Sequence, residues 1–445
     1  METSQIRIKT DGFRAIAKAD IIINGITVVA GENGSGKSTL SKLLYFLYKT
    51  AANYNSLVAE ELQFNLRNVI SFLEIIEQEF HYSLKERGKN QEYRGIGKEL
   101  SELRGNISVN EEQMRKWILI IKKAAELYYN HPFNLSERNL RNSRTIRLRY
   151  IVIDILKDIP NNKIEDKGEN LSLPFDKIES FVESKFKEAV EKVKSRPISL
   201  FNNALASVFE KEKLPKLFEV YEYGEKIVSK DNDSLSIPYY VQNTIYIDTP
   251  MAIGEEYSDI QHWEDLNILL HKKGKLSFSG LSKIIATIIK GDVSFDDDAF
   301  AFSDFLFKRR DGSKFDLLDC ATGIKSFGIL QLLLKNGSLN DKTLMIIDEP
   351  ESHLHPQWII EYARLIVLLN KKIGMKFFIA SHNPDMVSAI KYIAEKQKVD
   401  KNLNFYLAEK TKNEYIYKYK HLGIDIEPIF GSFNIAMERI NKYGA

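Results

Sequence analysis

The chain has 445 residues, 44% hydrophobic and 28% charged, which is enough apolar material for a large core and enough length for two or three domains. A formal charge of +2 gives no global excess that would announce a nucleic acid or a membrane surface, so any such claim must come from local patches. One cysteine, Cys320, excludes an internal disulfide framework, no apolar run reaches the roughly eighteen residues of a membrane span, and METSQIRIKTDGF lacks a signal-peptide core, so a soluble cytoplasmic protein is expected.

Residues 5–30 alternate short apolar runs with turn signals. QIRIKT has a period of two, DG reads as a turn, and ADIII, NG and ITVVA follow, which predicts two or three strands. GENGSGKST comes next, then a helix with Leu40, Leu43, Leu44 and Leu47 on one face. From about 52 to 218 glycine is sparse and helical periods recur, as in Phe175, Ile178, Val182, Phe186, Val190 and Val193, and in EEQMRKWILIIKKAAELYY. NNKIEDKGENLSLP interrupts that pattern and no continuous heptad array runs through it, so a compact helical insertion is expected rather than a coiled-coil arm. Strand signals return in FEVYEY, SIPYYV and NTIYIDTP, and AFSDFLFKRRDGSKFDLL reads as a hairpin around DG. Beyond residue 321, helix and strand alternate. KTLMIID and MKFFIAS are unbroken apolar runs, as in strands covered on both faces, and Pro356 and Pro384 open helices just after them. NLNFYLAEKTKNEYIYKYK reads as a hairpin, with a last short helix from about Pro428. The expected fold class is α/β: one sheet domain made of 1–55 and 219–445, split by a mostly helical insertion over 56–218.

Gly31 to Ser38 reads G-E-N-G-S-G-K-S, the G-x-x-x-x-G-K-[ST] pattern, between a strand and a helix. Glycines let the backbone wrap a phosphate, and the amides of a helix start favour the anion. ATP is therefore expected on Asn33, Gly34, Gly36, Lys37, Ser38 and Thr39, with Lys37 reaching the β/γ-phosphates and the Ser38 hydroxyl on Mg²⁺. A chance glycine-rich turn is the bland alternative, and the strand–loop–helix context argues against it. LMIIDEP ends a buried strand in two acids: Asp348 would hold the Mg²⁺ shell and Glu349 would act as general base on water. In ESHLHP, His353 and His355 tempt a metal reading, but a loop contacting a partner subunit is favoured. FFIASHNPD ends a strand at His382, which would hydrogen-bond the γ-phosphate; an ordinary polar strand exit before an Asn383 cap is the alternative.

This order of motifs resembles the ABC-type AAA-family ATPases of the SMC/RecF/OLD group, and more closely the stand-alone bacterial ATPases of anti-phage systems such as Septu, PARIS and retron modules. The resemblance covers about 1–55 and 219–445. In that group the segment before the hydrolysis strand is a signature, S-[SG]-G-x-[KRQ]; here it reads Ala321-Thr322-Gly323-Ile324-Lys325-Ser326, with threonine where serine is common. The resemblance implies that Thr322 and Gly323 bind the γ-phosphate held by another protomer, closing an ATP sandwich in a homodimer or higher homo-oligomer. A plain helix N-cap at Thr322 is the bland alternative. Arg14, in GFRAI, stands where relatives place a nucleotide-contacting basic residue. The family's glutamine loop is not located: Gln63, Gln242 and Gln261 all fit poorly.

The densest cationic stretch holds Arg138, Arg141, Arg144, Arg147 and Arg149. It leaves open a nucleic acid backbone or an acidic protein surface, against an ordinary solvated helix face. Asp296–Asp298 receives no metal assignment. About sixty residues follow His382, too few for the toprim domain of OLD-type relatives, and no Cys/His pattern suggests an HNH nuclease. The expected role is an ATPase that senses or regulates for a separate effector, a nuclease among the candidates, in an anti-phage system. The second reading is a DNA-repair or DNA-binding ATPase of RecF/SMC character. The long insertion argues against a third, a transporter's nucleotide-binding subunit, and no membrane-coupling patch is evident.

Overall fold

Whether a strand alternates or runs apolar throughout decides its place in the sheet. The computed structural model describes residues 5–85, 99, 107–130, 150–155, 157, 173–209, 214–229, 231, 233–253, 260–274, 278–295, 305–431 and 442–443. β1 (Ile6–Phe13) and β2 (Ile16–Ile23) alternate and pair antiparallel, Phe13 facing Ile16 across a turn at Arg14 and Ala15. The turn expected at Asp11-Gly12 is thus displaced. Phe13 and Ile16 are both core residues, so the strand continues through Gly12, at φ +62°, until both are buried. β3 (Ile26–Ala30) is buried at every position and leads through the glycine-rich loop into α1 (Lys37–Ala52).

The chain forms two compact units, one of Met1–Ala52 with Asn202–Ala445 and one of Asn53–Phe201. The second holds α2 (Tyr54–Lys85), α3 (Glu111–Asn130), α4 (Phe175–Ser195) and the start of α5 (Ile198–Val208). Its core comes from one face of each helix: Trp117, Ile120 and Ile121 on α3, and Phe175, Ile178, Val182 and Phe186 on α4. The five arginines between 138 and 149, and Asp296–Asp298, lie outside the described residues.

The first unit continues with β4 (Leu217–Glu222), β5 (Glu225–Ser229), β6 (Asn243–Ile247), α6 (Gln261–Leu270) and α7 (Ser279–Ile288). A small antiparallel sheet follows, of β7 (Gly291–Phe295), β8 (Phe305–Arg309) and β9 (Lys314–Asp316). Then come α8 (Thr322–Lys335), β10 (Thr343–Asp348), α9 (Pro356–Ile373), β11 (Lys376–Ser381), α10 (Pro384–Gln397), β12 (Leu403–Lys410) and β13 (Tyr417–Gly423). The main sheet has ten strands in the order β5-β4-β1-β2-β13-β12-β3-β11-β10-β6. Its β12-β3-β11-β10-β6 half is parallel, and β3, β10 and β11 are buried throughout. The fold class is α/β, as the alternation of elements predicts. Among the described residues no helix is long and apolar enough to cross a membrane.

SIPYYV is not a strand. The amides of Tyr239, Tyr240 and Val241 donate to the fully buried Glu222 carboxylate at 2.8–3.0 Å, so they are satisfied without a ladder. Removing that acceptor orphans three amides. Glu222→Ala is expected to lower unfolding stability by about 3 kcal/mol, read as an earlier urea midpoint, while Glu222→Gln loses less.

Candidate functional site

The glycine-rich loop is held in shape by the chain's own contacts. Gly34 and Gly36 have φ of +80° and +90°, a region that favours glycine. A Cβ on Gly36 would meet Ile16 Cγ1 at 2.9 Å. Tyr419 Oη donates to Ser35 O at 3.0 Å and pins the loop to β13. Ser35 Oγ is buried without a hydrogen-bond partner. Lys37 is buried, and its ammonium donates to Gly31 O and Glu32 O, each at 2.9 Å. Burial lowers the Lys37 pKa, and the nearby Glu349, Asp348 and Glu351 oppose it only in part. Ser38 and Thr39 follow in the first turn of α1, while Asn33 and Gly34 lie exposed on the loop.

Asp348 ends β10 with its carboxylate buried. Ser41 Oγ donates to Oδ1 at 2.8 Å and Tyr246 Oη to Oδ2 at 2.9 Å. Burial raises its pKa, and the hydrogen bonds from Ser41, Tyr246 and Ser38 pull the other way. Glu349 turns out of the strand at φ +47°, a left-handed backbone that costs about 1–2 kcal/mol for a side-chain-bearing residue. Its N–H is held by Ala380 O at 2.8 Å. The Glu349 side chain is 39% exposed, and His382 Nδ1 lies 3.3 Å from its Oε1.

A cavity of about 390 Å³ gathers Arg14, Ser38, Thr39, Lys42, Tyr246, Asp248, Asp348 and Glu349. It therefore unites the expected Arg14, Ser38, Thr39, Asp348 and Glu349, and Lys37 and His382 stand beside it. Thr322 and Gly323 do not line it. They open α8, whose N-cap is Ala321 and not Thr322, with no side-chain hydrogen bond at the cap. Gly323 has a reason of its own: a Cβ there would meet the Trp358 ring at 2.8 Å and Leu354 Cδ2 at 3.3 Å.

Sequence reasoning missed Asp248. The run NTIYID ends in an acid just as LMIID does, but only the pairing of β6 with β10 gives that likeness its meaning. Trp263 Nε1 donates to Asp248 Oδ1 at 2.8 Å, and His262 Nε2 donates to Oδ2 at 2.7 Å. Burial pushes the Asp248 pKa up, but these bonds outweigh it and hold the carboxylate below its usual range. Its side chain keeps 29% exposure, which leaves lone pairs facing the cavity. α6 also clasps α1, since Asp265 accepts from Tyr45 and from Lys49 Nζ, the latter at 2.6 Å. Gln63, Gln242 and Gln261 are all exposed and none lines the cavity. Ser38, Asp348 and Asp248 offer hard oxygen donors, a set that suits Mg²⁺, and the glycine cradle with its orphaned Ser35 hydroxyl suits phosphate.

A family model described as "AAA domain, putative AbiEii toxin, Type IV TA system" matches residues 26–388. Among solved structures the chain is similar to an Smc head domain with a coiled coil and joint derived from Pyrococcus yayanosii, at 12% identity and TM-score 0.37, over 97% of this chain and 99% of that one. It is similar also to an Smc head domain bound to the C-terminal domain of ScpA, derived from Pyrococcus furiosus, at 11%, 0.33 and 99% of each chain. An SMC head domain from Thermotoga maritima gives 10%, 0.32, and 94% and 98%. A search of curated proteins gives no match.

The Trp358 contact predicts the outcome at the signature glycine. Gly323→Ala is expected to destabilise the first unit by about 1–3 kcal/mol, seen in melting, with ATP affinity of the single chain retained.

Proposed function

The chain belongs to the AAA-domain family matched over residues 26–388, and on that premise we propose that it is an ATPase that grips ATP between two copies of itself. The observation that carries the reading is the cavity. One chain brings Arg14, Ser38, Asp348 and Glu349 to it but holds the start of α8 apart. Loop amides and Lys37 would bind the β/γ-phosphates, and Arg14 would add a cation at the rim. Ser38, Asp348 and Asp248 would hold Mg²⁺, which when bound neutralises charge across the phosphate oxygens. Glu349 would orient water and take its proton, and His382 would donate to the γ-phosphate. Thr322 and Gly323 of the second copy would present a helix start to the same phosphate.

The biological role we propose is control of a separate effector in a bacterial anti-phage module, with ATP turnover or binding as the signal. The family description, which names a toxin of a Type IV TA system, supports a setting of this kind. Co-purification with the product of the neighbouring gene, and loss of phage protection on Lys37→Ala, are the expected results. A chain that purifies alone and confers no protection would remove this role while leaving the ATPase intact.

Lys37→Ala is expected to weaken ATP binding by about 100-fold, roughly 2.7 kcal/mol, in a fluorescent-nucleotide titration. Glu349→Gln should bind ATP normally, turn over about 10²–10⁴-fold more slowly, and accumulate as a dimer in sedimentation. Turnover near wild type would exclude Glu349 as the base.

A further inference from the structure

One buried carboxylate beside the cavity has no part in the reading above. Glu351 lies in the loop after β10 and is 7% exposed. Its Oε1 accepts from Ser381 Oγ at 2.8 Å and from the His382 N–H at 3.1 Å. Its Oε2 is buried and has no hydrogen-bond partner. His382 Nδ1 is buried too and is likewise without one: it stands 3.3 Å from Glu349 Oε1 and 3.6 Å from Glu351 Oε1, bonded to neither. The imidazole as a whole is 43% exposed, so its Nδ1 edge faces inward while the rest of the ring is open. An orphaned buried polar group costs about 1–3 kcal/mol, and here a small ring rotation would satisfy either contact.

We propose that Glu351 is the positioning residue of His382 and competes with Glu349 for the Nδ1–H. The proposal rests on the roles assigned above to Glu349 and His382. Nδ1 lies nearer Glu349 than Glu351, and in that position the ring encumbers the oxygen that attacking water needs. Turning Nδ1–H onto Glu351 frees Glu349. A carboxylate holding one imidazole nitrogen also fixes the plane of the ring, so its other nitrogen is presented to a phosphate oxygen in one orientation. Glu351 suits this task because Ser381 and the His382 amide fix it to the same strand end that carries the histidine. Glu349 suits the other because it remains open to the cavity. The two acids thus divide the work by burial: one orients, the other meets water.

The test follows the imidazole itself. The full chain is labelled with ¹⁵N-histidine, His382 is assigned with His382→Ala, and spectra are taken without nucleotide and with Mg²⁺ plus a non-hydrolysable ATP analogue. Glu349→Gln is expected to move the Nδ1 resonance in the nucleotide-free protein, and Glu351→Gln to move it in the loaded one. Glu351→Gln should also lower kcat by about 10- to 100-fold at unchanged KM, the scale of a lost orienting partner. If the analogue binds and the loaded resonance ignores Glu351→Gln, the assignment of Glu351 is wrong while the ATPase reading stands. If Glu351→Gln loses nucleotide affinity as much as kcat, its role is structural and the proposal falls. If the wild type neither binds the analogue nor hydrolyses ATP, both fall together.

Discussion

Parallel register between four strands sets everything else at the site. Ala30 of β3 lies beside Ser381 of β11, Ala380 beside Asp348 of β10, and Ile347 beside Ile247 of β6. The residues at or just beyond these pairs are Gly31, His382, Asp348 with Glu349, and Asp248. A phosphate loop, an imidazole and three carboxylates become neighbours although long stretches of chain separate them. Ligands of open α/β sheets bind at this edge, beyond the carboxyl ends of the strands. A slip of one residue would send every side chain to the opposite face. β3, β10 and β11 are buried at every position, and each large apolar side chain among them contributes about 1.5–3 kcal/mol that a slip would have to recover by repacking.

Features whose meaning is local were legible in the sequence. The glycine-rich loop declares itself by spacing, and KTLMIID and MKFFIAS declare two-sided burial by composition. What stayed hidden depends on partners far along the chain. Asp248 matters because β6 lies against β10, and no window around NTIYID shows that pairing. SIPYYV has strand-like residues, yet Glu222 takes its amides first. The Asp11-Gly12 turn has the right dipeptide, yet Phe13 and Ile16 gain more from burial than the turn gains from its glycine. In each case tertiary packing overrides a local preference, and the override becomes visible only once the neighbour is known.

The site also carries charge that its own chain answers incompletely. The Lys37 ammonium is buried and rests on two carbonyl dipoles rather than on a carboxylate. Asp348 is buried against hydroxyls, and Glu351 keeps an unpartnered oxygen. Burying a charge against dipoles alone is expensive, because desolvation exceeds what such partners return. Apolar strands hold these groups in place, so the cost is borne by the sheet. A triphosphate with its cation would answer Lys37 and the carboxylates at once, which makes ligand binding the step that relieves the site rather than one that strains it.

The start of α8 follows the same logic from the other side. An alanine at the N-cap gives up about 1 kcal/mol relative to serine or aspartate, because no side chain meets the first amides. Gly323 cannot by itself be taken as a phosphate ligand, since Trp358 already demands a glycine there. The amides of Thr322 and Gly323 are the ones that no side chain caps. A serine or aspartate in place of Ala321 would satisfy them within the chain and compete with any incoming anion. The sequence ATGIKS instead leaves a helix dipole unanswered on a rigidly packed helix, with the Thr322 hydroxyl free of capping duty. Preorganised donors of this kind are worth most when an anion is brought to them from outside, and on the proposed function the cavity lined by Ser38 and Asp348 in a second copy would bring one.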